Sequence, residues 1–432
     1  MNVWNARQTA ISDDQRERDD FGRDRARIIH SAFFRRLQGK TQVLGLGESD
    51  FYRTRLTHSI EVSQVASGIV ETMVNDESLA THHQWLPSQV LIEAIALAHD
   101  IGHPPFGHGG EVALNYAMRN NGGFEGNAQT LRICTKLGEY SDSNGLNLTR
   151  RTLLGLLKYP ATYSTVVNAS KYQTAQAPSN IDSFKPPKCI FDCDKDSLDF
   201  IFDPVSSDSI TFQSTQQISN NHAETKYKAL DTSILELADD IAYGVHDLED
   251  AIALRLVDER TWRAEVHDLL ADPLSTYKLS GQMNEITANL FSGVNKTRKK
   301  SIGLLVGHFI RNCTLAKRNT FSHDLLDIQA KMNAPVEQEL EVLKRFVLKH
   351  VVKTVEVQTL EYKGQQIIVR LFDAIANNPS RLLLKKYYDD YVERGQDLRV
   401  ICDYLAGTTD DYATRLYHKI FTPSSGSVFD RL

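Results

Sequence analysis

The chain has 432 residues, of which 41% are hydrophobic and 24% are charged, and its formal net charge is -6 at pH 7. This is the composition of an ordinary globular protein, and the acidic balance excludes a globally basic surface for binding nucleic acid. The five cysteines are odd in number and follow no zinc-binding spacing, which indicates reduced thiols and a cytoplasmic location. The most apolar stretch, 90–98, is too short to span a membrane, so we expect no membrane association.

Helical periodicity dominates both ends of the chain. Apolar residues recur every three or four positions, as on the buried face of a helix, and the 89–99 stretch is apolar nearly all round. Before residue 178 this pattern predicts four helices, at 25–38, 57–74, 89–99 and 111–120. After residue 221 it predicts three more, at 227–254, 336–351 and 367–375.

The middle of the chain has a different composition. Residues 178–221 contain two adjacent prolines, many Ser and Asp residues, and short β-like pieces at 189–191 and 200–202. This composition predicts an irregular insertion into a helical body. We therefore expect an all-α fold in a single large domain with an irregular excursion at 178–221.

The strongest local signal is the sequence LAHDIGHPPFGHGGE at 97–111, in which the apolar helix ends in the pair His99-Asp100. Burying an imidazole and a carboxylate without partners is costly, and a bound metal ion would remove that cost. Nitrogen and oxygen donors without cysteine suit manganese, magnesium, iron, cobalt or nickel better than a structural zinc site. For this pair alone, a hydrogen-bonded His at a helix C-terminus is an equally good interpretation.

Two further motifs favour the metal site. His58 lies in TRLTHSIEV on an earlier helix, and Asp239 lies in ELADDIAYGVHDLED on a later one, where Asp240 is a rival candidate. The order His, His-Asp, Asp on separate helices resembles the ligand pattern of the HD superfamily of metal-dependent phosphohydrolases. The resemblance implies one divalent ion per site, manganese or magnesium, with iron, cobalt or nickel as alternatives. The ligands that it implies are His58, His99, Asp100 and Asp239.

Within that superfamily, the chain resembles the dGTP triphosphohydrolase (dGTPase) family over nearly its whole length. The motifs that carry the resemblance follow one another in order: FRRLQGKTQV at 34–43, TRLTHSIEVSQVA at 54–66, AHDIGHPPFGHGGE at 98–111, FEGNAQTLRI at 124–133, LLKYP at 156–160, ADDIAYGVHDLEDA at 238–251 and ICDYLAGTTDDYA at 401–413. The resemblance implies an HD core at about 50–255 and a nucleotide site completed by 256–432. It also implies hydrolysis of a dNTP, with dGTP as the candidate preferred substrate, at the α-phosphorus to deoxynucleoside and inorganic triphosphate.

The same resemblance implies roles for residues near the metal. His108 and Glu111 match the family's catalytic His-acid pair, and His103 matches a phosphate-contacting His. Arg55 matches a phosphate-binding Arg, and Lys158 is a weaker triphosphate candidate, for which a solvated Lys is an equally good interpretation. A carboxylate beside an imidazole stabilises its protonated form and fixes its orientation. By itself, Glu111 is also typical of the first turn of a helix.

A second set of residues is expected at the sugar end of the substrate. Asp239, Tyr243 and Asp247 are spaced by four, so they share one helix face. The resemblance implies that Tyr243 stacks on the deoxyribose, where a 2′-hydroxyl would collide with the ring, and that Asp247 contacts the sugar or phosphate. It also implies that Gln42 contacts the 3′-hydroxyl. Without the resemblance, an exposed acidic helix face with one half-buried Tyr is the simpler interpretation.

Partners and alternative functions depend on the resemblance alone. It implies a homo-oligomer, a hexamer or another even assembly, with a nucleotide or single-stranded DNA as candidate effector. Two other functions stay open: an HD hydrolase acting on nucleoside monophosphates or cyclic nucleotides, and a nucleotide-sensing or nucleic-acid-binding HD protein without turnover. The 178–221 insertion does not resemble the family's commonest pattern, so it leaves the base preference open.

Overall fold

The computed structural model of the chain describes residues 2–10, 19–42, 53–173 and 181–423. Helices dominate it, which confirms the all-α prediction. The helices of the first 173 residues are α1 (Asp20–His30), α2 (Ala32–Arg36), α3 (Arg55–Val74), α4 (Gln89–Ala98), α5 (Gly107–Met118), α6 (Gly126–Arg132), α7 (Arg150–Leu156), α8 (Tyr163–Val166) and α9 (Ser170–Gln173). Among the described residues, no helix combines the length and the apolar character that crossing a membrane requires.

The rest of the described chain is also helical. Its helices are α10 (Lys195–Phe202), α11 (Ser206–Phe212), α12 (Leu230–Ala253), α13 (Glu259–Trp262), α14 (Asp268–Leu270), α15 (Met283–Leu290), α16 (Asn295–Arg311), α17 (Asp324–Asp327), α18 (Ala334–Val347), α19 (Val355–Asn377), α20 (Pro379–Leu382), α21 (Lys385–Glu393), α22 (Leu398–Ala406) and α23 (Asp410–Phe421). Two small antiparallel sheets accompany them, β1 (Thr215–Gln216) with β2 (Glu224–Thr225) and β3 (Cys313–Lys317) with β4 (Ile328–Met332).

Two local predictions are wrong. The single helix expected at 25–38 is divided at Ser31, whose Oγ accepts the backbone N–H of Phe34 and so caps a second helix. The β-like piece at 200–202 lies in α10, where Leu198 and Ile201 are buried three positions apart. An apolar run this short fits a helix as well as a strand, so periodicity could not decide between them.

The middle segment is more regular than its composition predicts. From residue 181 to 221, the described part contains α10 and α11 as well as short 3-10 turns. An isolated parallel bridge joins Ile190 to Thr162, so this segment pairs with the chain that follows the LLKYP motif. The bridge brings residues near 190 to the side of the molecule where that motif lies.

Two large apolar cores organise the helices of the described residues. The larger core contains buried side chains of α1, α3, α4, α7, α12, α16 and α18, with the long helix α12 packed against several of the others. The smaller core contains buried side chains of α5, α19, α22 and α23. Since α5 begins eight residues after His99, the loop between α4 and α5 passes from one core to the other. The motif at 97–111 therefore lies at the junction of the two cores.

Candidate metal centre

Three side chains converge where α3, α4 and α12 pack together. His58 lies in the first turn of α3, His99 directly follows α4, and Asp239 lies within α12. Oδ1 of Asp239 is 3.1 Å from Nε2 of His58 and 3.8 Å from Nε2 of His99. One donor atom from each residue lies within 4.8 Å of the other two, so this set, here called the metal group, could hold a metal ion.

The protonation of His99 fits this role. Its Nδ1 lies 2.6 Å from the carbonyl oxygen of Ala96, to which the Nδ1–H donates. Nε2 is then left with a lone pair, and it is buried with no hydrogen-bond partner among the described residues. Burial lowers the pKa of His99, which favours the neutral ring that metals bind. An orphaned buried nitrogen is costly, and a metal ion would satisfy it.

Asp100 borders the metal group and connects it to two predicted phosphate ligands. Its Oδ1 lies 3.4 Å from Nε2 of His99 and 3.0 Å from Nδ1 of His103. Its Oδ2 accepts a hydrogen bond of 2.7 Å from Nη1 of Arg55. Burial alone would raise the pKa of Asp100, but its contacts with His103, His99 and Arg55 hold it well below its usual range. The carboxylate is therefore charged, as a metal ligand must be.

Neighbouring carboxylates of α12 face different partners. Oδ2 of Asp239 lies 3.1 Å from Nζ of the buried Lys158, and its Oδ1 faces His58. Asp240 instead lies 3.0 Å from Nζ of Lys344 on α18. The register of α12 thus brings Asp239, and not Asp240, to the two imidazoles, while Lys158 contacts the metal group rather than solvent.

Two of the three residues predicted for the sugar end, Asp247 and Gln42, have a buried polar atom without a described partner. Asp247 is buried, its Oδ2 has no hydrogen-bond partner in the described ranges, and burial raises its pKa to about 6. Tyr243 is half-buried, and burial raises its pKa to about 12. Oε1 of Gln42 is likewise buried without a described partner. A ligand hydroxyl could satisfy such atoms, because buried polar groups are normally hydrogen-bonded.

The His-acid pair lies beside the metal group. Nδ1 of His108 is 3.2 Å from Oε2 of Glu111, whose Oε1 accepts the backbone N–H of Gly126 at 2.9 Å. The carboxylate is buried, whereas the side chain of His108 is 69% exposed. The rings of His108 and His103 have centroids 6.2 Å apart, so His103 lies between this pair and Asp100.

Lys188 is a site residue that the sequence pattern does not indicate. Its Nζ lies 2.8 Å from Oε1 of Glu125 and 3.6 Å from Oε1 of Glu111. Burial alone would raise the pKa of Glu111, but Lys188 and then His108 hold it well below its usual range. No spacing rule could have identified Lys188, because Glu125 is 63 positions away in the chain. We call His108, Glu111 and Lys188 the acid–base group.

Family models match the chain in two places. Residues 55–150 match the HD domain, and residues 330–419 match the phosphohydrolase-associated domain. The first range includes His58, His99 and Asp100, whereas Asp239 lies between the two ranges. With the helical fold and the metal group, these matches define the protein as an HD-domain phosphohydrolase, a metal-dependent class.

Named relatives match this chain from end to end. A deoxyguanosinetriphosphate triphosphohydrolase-like protein of Shewanella halifaxensis is 45% identical over 442 residues, which cover 100% of this chain and 98% of the relative. The protein of the same name from Shewanella pealeana is 46% identical over 440 residues, with 99% and 98% covered. The chain therefore belongs to the family of deoxyguanosinetriphosphate triphosphohydrolase-like proteins, as the resemblance of its motifs predicts.

Proposed function

We propose that the protein hydrolyses deoxynucleoside triphosphates at the α-phosphorus, with dGTP as the first substrate to test. A water oxygen forms a bond to the α-phosphorus, and the bond from that phosphorus to the 5′ oxygen breaks. The 5′ oxygen leaves with a proton, so the products are a deoxynucleoside and inorganic triphosphate. Full-length similarity to relatives named deoxyguanosinetriphosphate triphosphohydrolase-like protein supports the substrate class.

The observation that carries the proposal is the position of His103 between two chemically different groups. Its Nδ1 lies 3.0 Å from Oδ1 of Asp100, next to the metal group, and its ring centroid lies 6.2 Å from that of His108. A metal group alone suits many hydrolases. The adjoining acid–base group adds a proton-handling residue, which a reaction with a poor alkoxide leaving group needs.

The first part of the site would hold manganese or magnesium. When bound, the ion supplies positive charge that polarises a phosphoryl oxygen and lowers the pKa of water. Arg55 and His103 orient the carboxylate of Asp100 by direct contact, as second-sphere partners of metal ligands usually do. The residues that would hold the ion are His58, His99, Asp100 and Asp239.

The second part of the site would manage the proton and the negative charge. Glu111 fixes Nδ1 of His108, so Nε2 is the ring nitrogen left to exchange a proton with the reacting group. Lys188 places an ammonium group beside Glu111, and Lys158 places another beside Asp239. Together with Arg55, they balance the charge of a bound triphosphate.

Product analysis tests the proposal. The protein is incubated with each dNTP and Mn²⁺ in water enriched in ¹⁸O. The products are separated by chromatography, and their masses are measured by mass spectrometry. We expect deoxynucleoside without label and triphosphate with one ¹⁸O. Release of dNDP with phosphate, or of dNMP with pyrophosphate, would contradict the proposal. Turnover of monophosphates or cyclic nucleotides alone would favour a different HD hydrolase.

Assembly and regulation are proposed on the same family basis. We expect an even-numbered homo-oligomer, a hexamer or another even assembly, whose activity responds to a nucleotide or to single-stranded DNA. Mass photometry with and without dNTP measures the assembly. Turnover measured with and without a single-stranded oligonucleotide measures the response.

A further inference from the structure

One carboxylate of the C-terminal motif ICDYLAGTTDDYA contacts two segments that border the site, although the proposed chemistry gives this motif no role. Asp410 is buried in the first turn of α23. Its Oδ2 accepts hydrogen bonds from the backbone N–H of Thr41 at 3.0 Å and from Oγ1 of Thr41 at 2.6 Å. Its Oδ1 accepts the backbone N–H of Phe106 at 2.9 Å. One side chain thus joins two segments that are distant from it in sequence.

Both joined segments carry predicted substrate contacts. Thr41 directly precedes Gln42, the residue predicted to contact the 3′-hydroxyl, and it pairs in an isolated bridge with Thr54 at the start of α3. Phe106 lies in the turn between His103 and α5. The carboxylate of Asp410 therefore fixes the distance between the sugar-side segment and the loop that follows the metal ligands.

The turn at Phe106 needs such support. Its φ of 61° lies in the left-handed region, which is unfavourable for a residue with a side chain. Gly364 packs so closely that a Cβ there would lie 2.3 Å from Cβ of Phe106. Lys40 also connects the same parts of the chain. Its buried Nζ donates hydrogen bonds to the carbonyl oxygens of His103 and Ala406.

A role in capping α23 does not explain Asp410. Oγ1 of Thr409 already accepts the N–H of Tyr412, which is the N-terminal cap of this helix. Asp411 shares the first turn and the same favourable position relative to the helix dipole. Its side chain is exposed, however, and pairs with Arg415 at 3.0 Å on the same helix. Of these two neighbouring carboxylates, Asp410 is the one that contacts Thr41 and Phe106.

We infer that Asp410 is a positioning residue that sets discrimination at the 3′ position of the sugar. By holding Thr41 against the Phe106 turn, it fixes Gln42 at the distance that a 3′-hydroxyl requires. This inference rests on the proposed function and on the contact between Gln42 and that hydroxyl which the family resemblance implies; Oε1 of Gln42 is buried without a described partner. A site that hydrogen-bonds a substrate hydroxyl rejects the analogue without it, because the site's own polar group is then left unpaired. A small displacement of that group weakens the hydrogen bond and therefore lowers the preference for the nucleotide that carries the hydroxyl.

The test compares dGTP with 2′,3′-dideoxyGTP, which differ only at the 3′-hydroxyl. Asp410→Asn replaces one accepting oxygen with an amide that opposes a donor, and Thr41→Val removes only the Oγ1 bond. We expect the ratio of kcat/KM for the two nucleotides to fall about tenfold in Asp410→Asn and less in Thr41→Val. Asp411→Asn, the matched control, should keep the wild-type ratio, and all variants should keep their metal.

An unchanged ratio in Asp410→Asn would overturn the inference. If that variant does not fold, Thr41→Val decides, and a wild-type ratio there has the same consequence. If the wild-type protein cleaves neither nucleotide, the proposed function fails, and the ratio of the two Kd values from calorimetry replaces the kinetic ratio. Equal Kd ratios in wild type and Asp410→Asn would then contradict the positioning role separately.

Discussion

The side chains of the metal group lie on regular helices, whereas those of the acid–base group are positioned largely by loops. His58, His99 and Asp239 each lie in or directly after a helix of the larger core, within a recognisable local motif. Glu111, in contrast, is surrounded by Gly126 and by Lys188 from the middle segment. The first group depends on the packing of regular helices, and the second depends on how loops close around α5. Substitutions should therefore separate metal binding from the later steps.

The largest effect is expected within the metal group. Asp239→Ala should lower metal affinity by more than about 100-fold and abolish turnover, since loss of an outer partner alone costs about 10–100-fold. Asp240→Ala is the matched control, because its carboxylate pairs with Lys344. Metal content by mass spectrometry and dGTP turnover are the measurements. Full metal content in Asp239→Ala would break the comparison by showing that another residue completes the group.

A smaller loss without loss of metal is expected in the acid–base group. Lys188→Met should lower kcat/KM by about 10–100-fold, because it removes a charge beside Glu111. Lys188 lowers the pKa of Glu111, so its removal should raise that pKa and move the acidic limb of the pH profile to higher pH. Lys185→Met, at an exposed position of the same segment, should behave as wild type. An unshifted acidic limb in Lys188→Met would show that Glu111 does not control it.

A change of specificity is expected one helical turn from Asp239. Tyr243→Ala should keep the metal and raise the relative kcat/KM for GTP over dGTP by about tenfold, because the wall against a 2′-hydroxyl is gone. Tyr243→Phe keeps the ring and should keep the discrimination. Loss of metal in Tyr243→Ala, or unchanged discrimination, would mean that this face of α12 does not contact the sugar.

The smallest effect is expected at the start of α3. Oγ1 of Thr54 accepts the N–H of Thr57 as the N-terminal cap of the helix that carries His58. Thr54→Ala should lower the free energy of unfolding by about 1 kcal/mol in urea titrations. Thr72→Ala, whose hydroxyl bonds to Gly68 inside the same helix, should cost less. Equal losses would show that capping does not distinguish the two threonines.

Helix prediction succeeded where one face is buried along the whole helix. The helix expected at 57–74 is α3, which starts two residues earlier because Thr54 caps it. The helix expected at 367–375 is only the buried part of α19. At its beginning Val355 is 77% exposed, so the apolar periodicity that signals a helix is absent there. Exposed turns stay helical because they continue a helix that is buried further along. The apolar periodicity of the sequence does not reveal such turns.

The sequence by itself determined the all-α class, the family and the motifs that carry the metal group. Those features are local, because residues three or four positions apart on a helix are neighbours whatever the rest of the chain does. Asp239, the ligand that the resemblance implies, faces the imidazoles, whereas Asp240 pairs with Lys344. Only the tertiary structure decided that Lys188 contacts Glu111 and that Asp410 contacts Thr41 and Phe106. Their contacts depend on helix register and on loops closing over long stretches of chain, which side-chain periodicity does not encode.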